Sequence, residues 1–434
     1  MTPPTEQQRG RRRLGRRTFA SLDVPAWRLL WSAGHLWNAA LWLDLLALGW
    51  LVLELTDSPL AVSLVGAARM APMGLLGLIA GAQADRLPKH RILLAAQTLN
   101  LGAATTFALL LLSGQEQVWQ VYAVAFASGV AWAIDFPVRR AYIRELVPDE
   151  LAVNAMALDA GSLVGGSMVG RWLAGLLLLV GGATAAYLML VAFYGAGWLM
   201  LRAVAGRAPA AASPPRSGSE TSLMSDAELE PAAPRARLID DVREGLRVAW
   251  ATPAVRGVLL GSMAMNLLVF PYQQLLPVFV RDEWGQGPVV LGLLGGMDGL
   301  GALLATGAVA TVGMATGRGR LFLGGALLVA LSAILFALSP TWLVAVPILL
   351  VAGFGRGSFA SMQWTVTTSS VPGRLRGRAM GAISLAIGVV PLGAASLGLI
   401  AELVGAPVAV LLTASIGGAL VLTLLLTARG LREA

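Results

Sequence analysis

The sequence contains no cysteine, only two histidines, His35 and His90, and a single lysine, Lys89. Without cysteine there is neither a disulfide nor a thiolate metal site, and two distant histidines form no metal-binding motif. The phosphate-binding loop of nucleotide hydrolases requires a lysine directly after a glycine, whereas Lys89 follows Pro88. We therefore predict a protein that is not an enzyme and that uses no cofactor and no metal.

Charged residues are also scarce, at 13% of 434 residues, and hydrophobic residues make up 56%. Soluble domains usually contain about 25% charged residues. Apolar stretches of roughly 20 residues, the length that crosses a hydrocarbon layer about 30 Å thick, recur along the whole chain. The composition predicts an all-α integral membrane protein. The net charge of +8 does not indicate nucleic-acid binding, because the basic residues lie in short segments between apolar stretches.

Apolar runs bounded by charges or turn residues predict twelve transmembrane helices in two six-helix bundles. We place an Arg-rich N-tail at 1–26, the bundles at 27–203 and 248–428, a flexible linker with an amphipathic end at 204–247, and a tail at 429–434. The predicted spans are 27–53, 59–83, 92–112, 118–137, 152–180, 183–203, 252–280, 287–313, 320–338, 341–362, 379–402 and 405–428.

The basic residues predict the orientation of the chain. All but four of the 32 lie in the tails, the linker and every second loop, and short loops rich in Lys and Arg stay cytoplasmic. Both termini are therefore expected in the cytoplasm. The N-terminal arginines are not followed by a short apolar core and a cleavage site, so we expect no removable signal peptide. Arginine-rich composition is typical of GC-rich bacteria, which indicates the bacterial cytoplasmic (inner) membrane.

An internal repeat indicates duplication. The segment PAWR at 25–28 recurs as PAVR at 253–256, and Pro59, at the entry to the second span, matches Pro288, at the entry to the eighth. These offsets are 228 and 229 residues. Chance similarity of Gly-rich apolar segments is the alternative. A duplicated unit favours a transporter whose two halves rock about a central site over a channel.

The loop between the second and third spans reads GAQADRLPKHR over 81–91. It resembles the signature cytoplasmic loop of the major facilitator superfamily, although Pro88 replaces a usual glycine and His90 a basic residue. The alternative is that the basic residues only set the topology. The residues that match the family pattern are Gly81, Asp85, Arg86, Lys89 and Arg91.

Further segments, at 50–60, 68–72, 135–148 and 371–380, resemble bacterial macrolide-efflux proteins and enterobactin exporters. This resemblance implies the major facilitator fold and a gating contact of Asp85 with the start of the eleventh span. It also implies a monomer that exports a moderately hydrophobic small molecule, such as a drug or a siderophore, in exchange for protons. An uptake or lipid-moving carrier of the same fold is the alternative. A membrane-embedded enzyme or a channel is the alternative of a different class.

Ionisable residues within spans are costly and usually face a cavity or a partner. We predict Asp44 as the residue that couples proton movement to transport, with a structural ion pair to Arg69 as the alternative. Asp135 and Arg139 are four residues apart, a spacing that would pair them on one face of a helix. Pro137 lies between them, however, and predicts that Asp135 has a role in a loop. The residues predicted to bind cargo or the coupling proton are Asp44, Arg69, Asp159, Asp298 and Arg356.

Glycines four residues apart predict close contacts between helices rather than binding sites. Two such pairs lie in the fifth predicted span, Gly161 with Gly165 and Gly166 with Gly170.

Overall fold

The chain folds into a bundle of long helices in a computed structural model that describes residues 19–83, 88–205, 236–312 and 317–432. Ten described helices are long and apolar enough to cross a membrane. One of them contains two predicted spans, and a shorter apolar helix belongs to the second span, so the helices are consistent with twelve crossings. The predicted all-α membrane fold is confirmed.

We number the spans as they were predicted. In the first half they are Pro25–Thr56, Pro59–Gln83, Lys89–Ser113, Val118–Leu146 and the fifth and sixth within Asp149–Ala205. A linker helix, Ala236–Ala251, follows. In the second half they are Pro253–Glu283, Pro288–Val312, Arg318–Ala337, Trp342–Ser369, Arg376–Val404 and Ala406–Thr427. The short helix Arg429–Arg432 comes last.

The fifth and sixth spans are separated by a break at Gly181 and Gly182. Gly182 has φ 63° and ψ −158°, a combination that only glycine adopts without strain. A straight helix over the 57 residues of Asp149–Ala205 would be about 85 Å long, far more than a bilayer requires. The two glycines therefore make the turn that divides this segment into two crossings.

The repeated sequence segments lie at equivalent positions in the two halves. Pro25 and Pro253 are the first residues of the first and seventh spans, and Pro59 and Pro288 are the first residues of the second and eighth. Proline suits the first turn of a helix, because its missing N–H has no intrahelical partner there. The repeated sequence signals are thus repeated helix starts.

Two predicted boundaries were wrong. The fourth span runs to Leu146 rather than to 137, and the tenth runs to Ser369 rather than to 362. Pro137 lies inside the fourth helix without ending it. Neighbouring helices and polar side chains compensate for a proline within a membrane span, so the breaker signal is weaker there than in water.

The seventh span is irregular at its centre. After the regular turns of Pro253–Ala264, a wide π-helical segment at Met265–Val269 is followed by a tight 3₁₀ segment at Phe270–Leu275. Such segments inside helices often mark functional sites, since they rotate side chains away from the regular helical positions. Pro271 and Pro277 within this region also withhold two backbone donors.

Close contacts between glycines and neighbouring backbones hold the first and fifth spans together. A Cβ atom at Gly170 would lie 2.1 Å from the carbonyl oxygen of Ala39, and one at Gly166 would lie 2.6 Å from Cβ of Asn38. This confirms the predicted role of the pair Gly166 and Gly170. For Gly161 the prediction was wrong, since no atom lies within 4 Å of its Cβ position.

Substitution of Gly170 by alanine should lower the stability of the first half. The added methyl group meets backbone atoms that cannot rotate away, and overpacking of this kind costs about 1–3 kcal/mol. The measurement is thermal unfolding of the purified protein in detergent. Gly102→Ala in the third span, where no atom lies within 4 Å, is the matched control and should keep or slightly raise the unfolding temperature, because alanine is the better helix former.

Candidate functional site

A cavity of about 160 Å³ lies between the two halves of the bundle. The irregular part of the seventh span forms one wall, through Phe270, Tyr272 and Gln274. Trp42 and Leu46 of the first span contribute from the other half. Most of the lining side chains are apolar, and the charged ones are Arg171 and Asp298.

Asp44 is sealed inside the first half, next to this cavity but not among the residues that line it. Its side chain forms an ion pair of 2.8 Å with Arg69, and both residues are 1% exposed. Tyr187 donates a hydrogen bond of 2.6 Å to Oδ1 of Asp44, and Ser128 donates one of 3.0 Å to Oδ2. The first, second, fourth and sixth spans therefore converge on one buried carboxylate.

A second buried carboxylate, Asp298, connects the two halves. Nη1 of Arg171, in the fifth span, lies 3.0 Å from Oδ2 of Asp298 in the eighth span and 2.8 Å from the carbonyl oxygen of Gly295. Arg356 of the tenth span forms an ion pair with the same carboxylate. Gln273 of the seventh span donates a hydrogen bond of 3.0 Å to Oδ1. We call Asp298, Arg171, Arg356 and Gln273 the Asp298 clamp.

The internal repeat relates the two carboxylate sites. The offset of 229 residues between the second and eighth spans places Asp298 opposite Arg69. The offset of 228 residues at the starts of the first and seventh spans places Tyr272 opposite Asp44, and Gln273 is the next residue. In the first half the pair is an acid on the first span and a base on the second. In the second half it is an amide on the seventh span and an acid on the eighth. The sequence prediction overlooked Gln273, although the repeat offsets of 228 and 229 applied to Asp44 lead to Tyr272 and to Gln273.

On the side opposite the described ends of the chain, polar contacts close the groove between the halves. Arg281 pairs with Asp57 at 2.9 Å and donates a hydrogen bond to the carbonyl oxygen of Leu53. Glu402 accepts hydrogen bonds from Ser58 and from the backbone N–H of Leu60, at the start of the second span. Among the described residues, the polar contacts between halves lie at this side or at the Asp298 clamp. The molecule is therefore closed on the side away from its termini.

Residues 16–433 match the model of a family described as transmembrane secretion effector, within the major facilitator superfamily. The chain belongs to this family. It is thus a membrane transporter of the major facilitator type, and the predicted resemblance is confirmed.

The multidrug efflux pump Tap of Mycolicibacterium fortuitum is 26% identical to the chain over 373 residues, which cover 84% of this chain and 86% of Tap. The crystal structure of the nucleoside transporter NupG has a TM-score of 0.69 at 13% identity, covering 94% of this chain and 99% of that one. A POT family transporter in complex with a thioalcohol-conjugated peptide has a TM-score of 0.73 at 10% identity, covering 93% and 96%. At these identities the two solved structures establish the fold alone.

A third polar cluster of the transporter lies at the terminal side of the first half. Arg139 donates two hydrogen bonds of 2.8 Å to Asp135, one turn earlier in the fourth span. The predicted loop role of Asp135 was therefore wrong, because the helix continues through Pro137 and keeps the pair in register. Asp159 of the fifth span interacts electrostatically with Arg139 and Arg140. The structure thus places Asp159 in this cluster, away from the residues that line the cavity.

The signature loop of the transporter is only partly described. Gly81 lies in the last turn of the second span, whereas Asp85 and Arg86 lie outside the described residues, as does their predicted contact with the eleventh span. Lys89, at the start of the third span, forms an ion pair of 2.5 Å with Glu145 at the end of the fourth. Arg91 is exposed. Lys89 therefore joins two spans of the same half.

Among the described residues of the transporter, no group of three or more histidine, aspartate or glutamate side chains could hold a metal ion. The two charged residues that line the cavity, Arg171 and Asp298, form an ion pair with each other.

Proposed function

We propose that this transporter exports a moderately hydrophobic small molecule, such as a drug or a siderophore, in exchange for protons by alternating access. The relationship to the Tap efflux pump supports export. The apolar lining of the central cavity supports a hydrophobic cargo. Ligand sites usually occupy about 300–1,000 Å³, so the cavity of about 160 Å³ must widen to admit a drug-sized molecule. Rocking of the halves provides that change of volume.

The Asp298 clamp is the single observation that carries the proposal of proton coupling. It is a buried ion pair between halves that move relative to each other, with Arg171 on one side and Asp298 and Arg356 on the other. When Asp298 is ionised, its carboxylate holds both guanidinium groups. When it is protonated, the buried guanidinium group of Arg171 and the partly buried one of Arg356 remain close together and repel each other across the interface. Protonation thus converts an attraction between the halves into a repulsion.

This charge switch provides what obligatory exchange requires. An empty transporter with ionised Asp298 is held closed by the clamp and cannot carry charge or cargo across. Either a proton on Asp298 or a cargo molecule that displaces a guanidinium releases the clamp. The transporter then changes between its two states only while either a proton or a cargo molecule is bound.

Asp44 has a different environment, and its geometry favours the structural alternative over the coupling role first predicted for it. All of its described partners, Arg69, Tyr187 and Ser128, belong to the same half, so protonation of Asp44 breaks no contact between moving parts. Removing one partner of a buried pair leaves an uncompensated charge. We therefore propose Asp44 and Arg69 as the polar core of the first half.

The experiment compares Asp298→Asn with Asp44→Asn in inverted vesicles supplied with a panel of labelled compounds and an acid-inside proton gradient. In the Asp298 variant the asparagine retains the shape of a protonated aspartate, so gradient-driven accumulation should fall at least tenfold while exchange of labelled for unlabelled cargo without a gradient persists. Per folded molecule, the Asp44 variant should keep its dependence on the gradient.

The opposite pattern, with gradient dependence lost only in the Asp44 variant, would return the coupling role to Asp44. Accumulation in right-side-out rather than inverted vesicles would make the protein an uptake carrier. Reporter tags on the N-tail and the linker test the proposed orientation in the bacterial membrane, in which both segments face the cytoplasm.

A further inference from the structure

A second cavity, of about 470 Å³, opens at the terminal end of the second half, far from the central one. It lies between the start of the seventh span and the end of the twelfth. Arg256 and Arg429 line it together with Leu260, Leu424 and Gly257. We call this cavity the arginine groove. The proposed transport mechanism does not use it.

The arginine groove combines two cations with an apolar wall. Arg256 and Arg429 are both exposed, and neither takes part in an ion pair with another described residue. Leu260 lies one helical turn beyond Arg256, and Leu424 lies five residues before Arg429. The leucines therefore lie deeper along their spans than the arginines.

The position of the groove along the spans matches the boundary between headgroups and acyl chains. Arg256 is the fourth residue of the seventh span, and Arg429 follows the twelfth span by two residues. On the adjacent linker helix, Trp250 is 57% exposed and Leu246 is 40% exposed. Exposed tryptophan near the end of a span is typical of the membrane interface.

We propose that the arginine groove binds one anionic phospholipid of the leaflet on the terminal side. The guanidinium groups of Arg256 and Arg429 hold the phosphate and any further anionic group of the head, and an acyl chain lies along Leu260 and Leu424. A planar guanidinium group can donate two parallel hydrogen bonds to two oxygens of one phosphate. Basic grooves between spans are known to bind anionic lipids. Gly257, which also lines the groove, packs closely against Leu431, since a Cβ atom there would lie 2.7 Å from Cδ2 of Leu431.

The internal repeat supplies a matched control. Arg28 corresponds to Arg256 with an offset of 228 residues, and it is likewise exposed in the first turn of its span. At that end of the first half, the turn Ala20–Asp23 is attached to the fifth span, because Ser21 hydrogen-bonds to Asn154. Arg28 thus tests the effect of an arginine that lies at the same depth but does not line the arginine groove.

The full chain, purified in detergent and freed of lipid, is titrated with short-chain phosphatidylglycerol or phosphatidylcholine. Native mass spectrometry counts bound lipids, and the unfolding temperature reports the affinity. The native protein should retain one phosphatidylglycerol with an affinity roughly tenfold above that of Arg256→Gln combined with Arg429→Gln. Arg28→Gln should bind like the native protein, and Arg256→Lys combined with Arg429→Lys should keep part of the affinity.

Equal binding of phosphatidylcholine, or equal losses in the Arg28 and the groove variants, would overturn the proposal. Protection by inorganic phosphate alone, with no added effect of phosphatidylglycerol, would assign the groove to a free anion and would also overturn it. Unfolding temperatures without lipid show whether each variant is folded, so that a loss of binding is separated from a loss of structure.

Discussion

Replacement of Arg69 by methionine is expected to destabilise the transporter by about 3–5 kcal/mol, because it leaves the carboxylate of Asp44 buried without a cation. Tyr187 and Ser128 still donate hydrogen bonds to that carboxylate, but two neutral donors do not balance its charge. The measurement is thermal or denaturant unfolding in detergent. Arg91→Met, at an exposed position of the third span, serves as the control and should change stability by less than about 0.5 kcal/mol.

The double variant Asp44→Leu with Arg69→Met should recover much of that stability, because apolar residues of similar volume often replace a buried ion pair without loss. Transport should also survive in the double variant if the pair is structural. A double variant that folds well but has lost its proton dependence would show that the pair takes part in coupling. A single Arg69 variant as stable as the native protein would argue against a charged Asp44 in the folded state.

A disulfide across the closed side should abolish transport. A Cβ atom at Gly398 of the eleventh span lies 2.6 Å from Cβ of Ser63 in the second span, and a disulfide brings Cβ atoms to about 3.8 Å. Cysteines at both positions can therefore join after a shift of about 1 Å. Because the native chain has no cysteine, oxidation acts on the introduced pair alone. We expect more than tenfold loss of transport on oxidation and recovery on reduction.

The matched control joins two spans of one half. A Cβ atom at Gly325 of the ninth span lies 3.2 Å from Cβ of Ser358 in the tenth, so cysteines there link helices that move together. Oxidation of that pair should leave transport largely unchanged. Full activity with the Ser63 and Gly398 pair completely oxidised would contradict alternating access through opening of this side.

Much of the architecture could be predicted from the sequence, because the thickness of the bilayer and the requirement for internal backbone hydrogen bonds leave few choices. The start of the second span at Pro59 was predicted, and that of the eighth span, at Pro288, was predicted to within one residue. The end of the fourth span was not, because Pro137 ends helices more reliably in water than in a bilayer. Secondary structure was thus least predictable where the rules for soluble proteins do not hold.

The candidate site was only half predictable. The cost of burying a charge identified Asp44, Arg69, Asp298 and Arg356, and a pair of Asp44 with Arg69 was the alternative role for these two residues. The partners of Asp298 were not predicted, because they come from spans far apart in the sequence. The hydrogen-bond donor Tyr187 is an uncharged residue in an apolar span, and nothing in its local sequence distinguishes it. Only packed helices show that Asp44 lies within one half and Asp298 between the two.

The opposite charges at positions 69 and 298 have a consequence for how the two halves depend on each other. In the first half, Asp44 is neutralised by Arg69 of the adjacent span. In the second half, Asp298 stands at the position equivalent to Arg69 and pairs with Arg171 of the first half. Arg171 of the first half therefore has its carboxylate partner in the second half. If the second half were replaced by a second copy of the first, Arg171 would be left in the middle of the membrane without that partner.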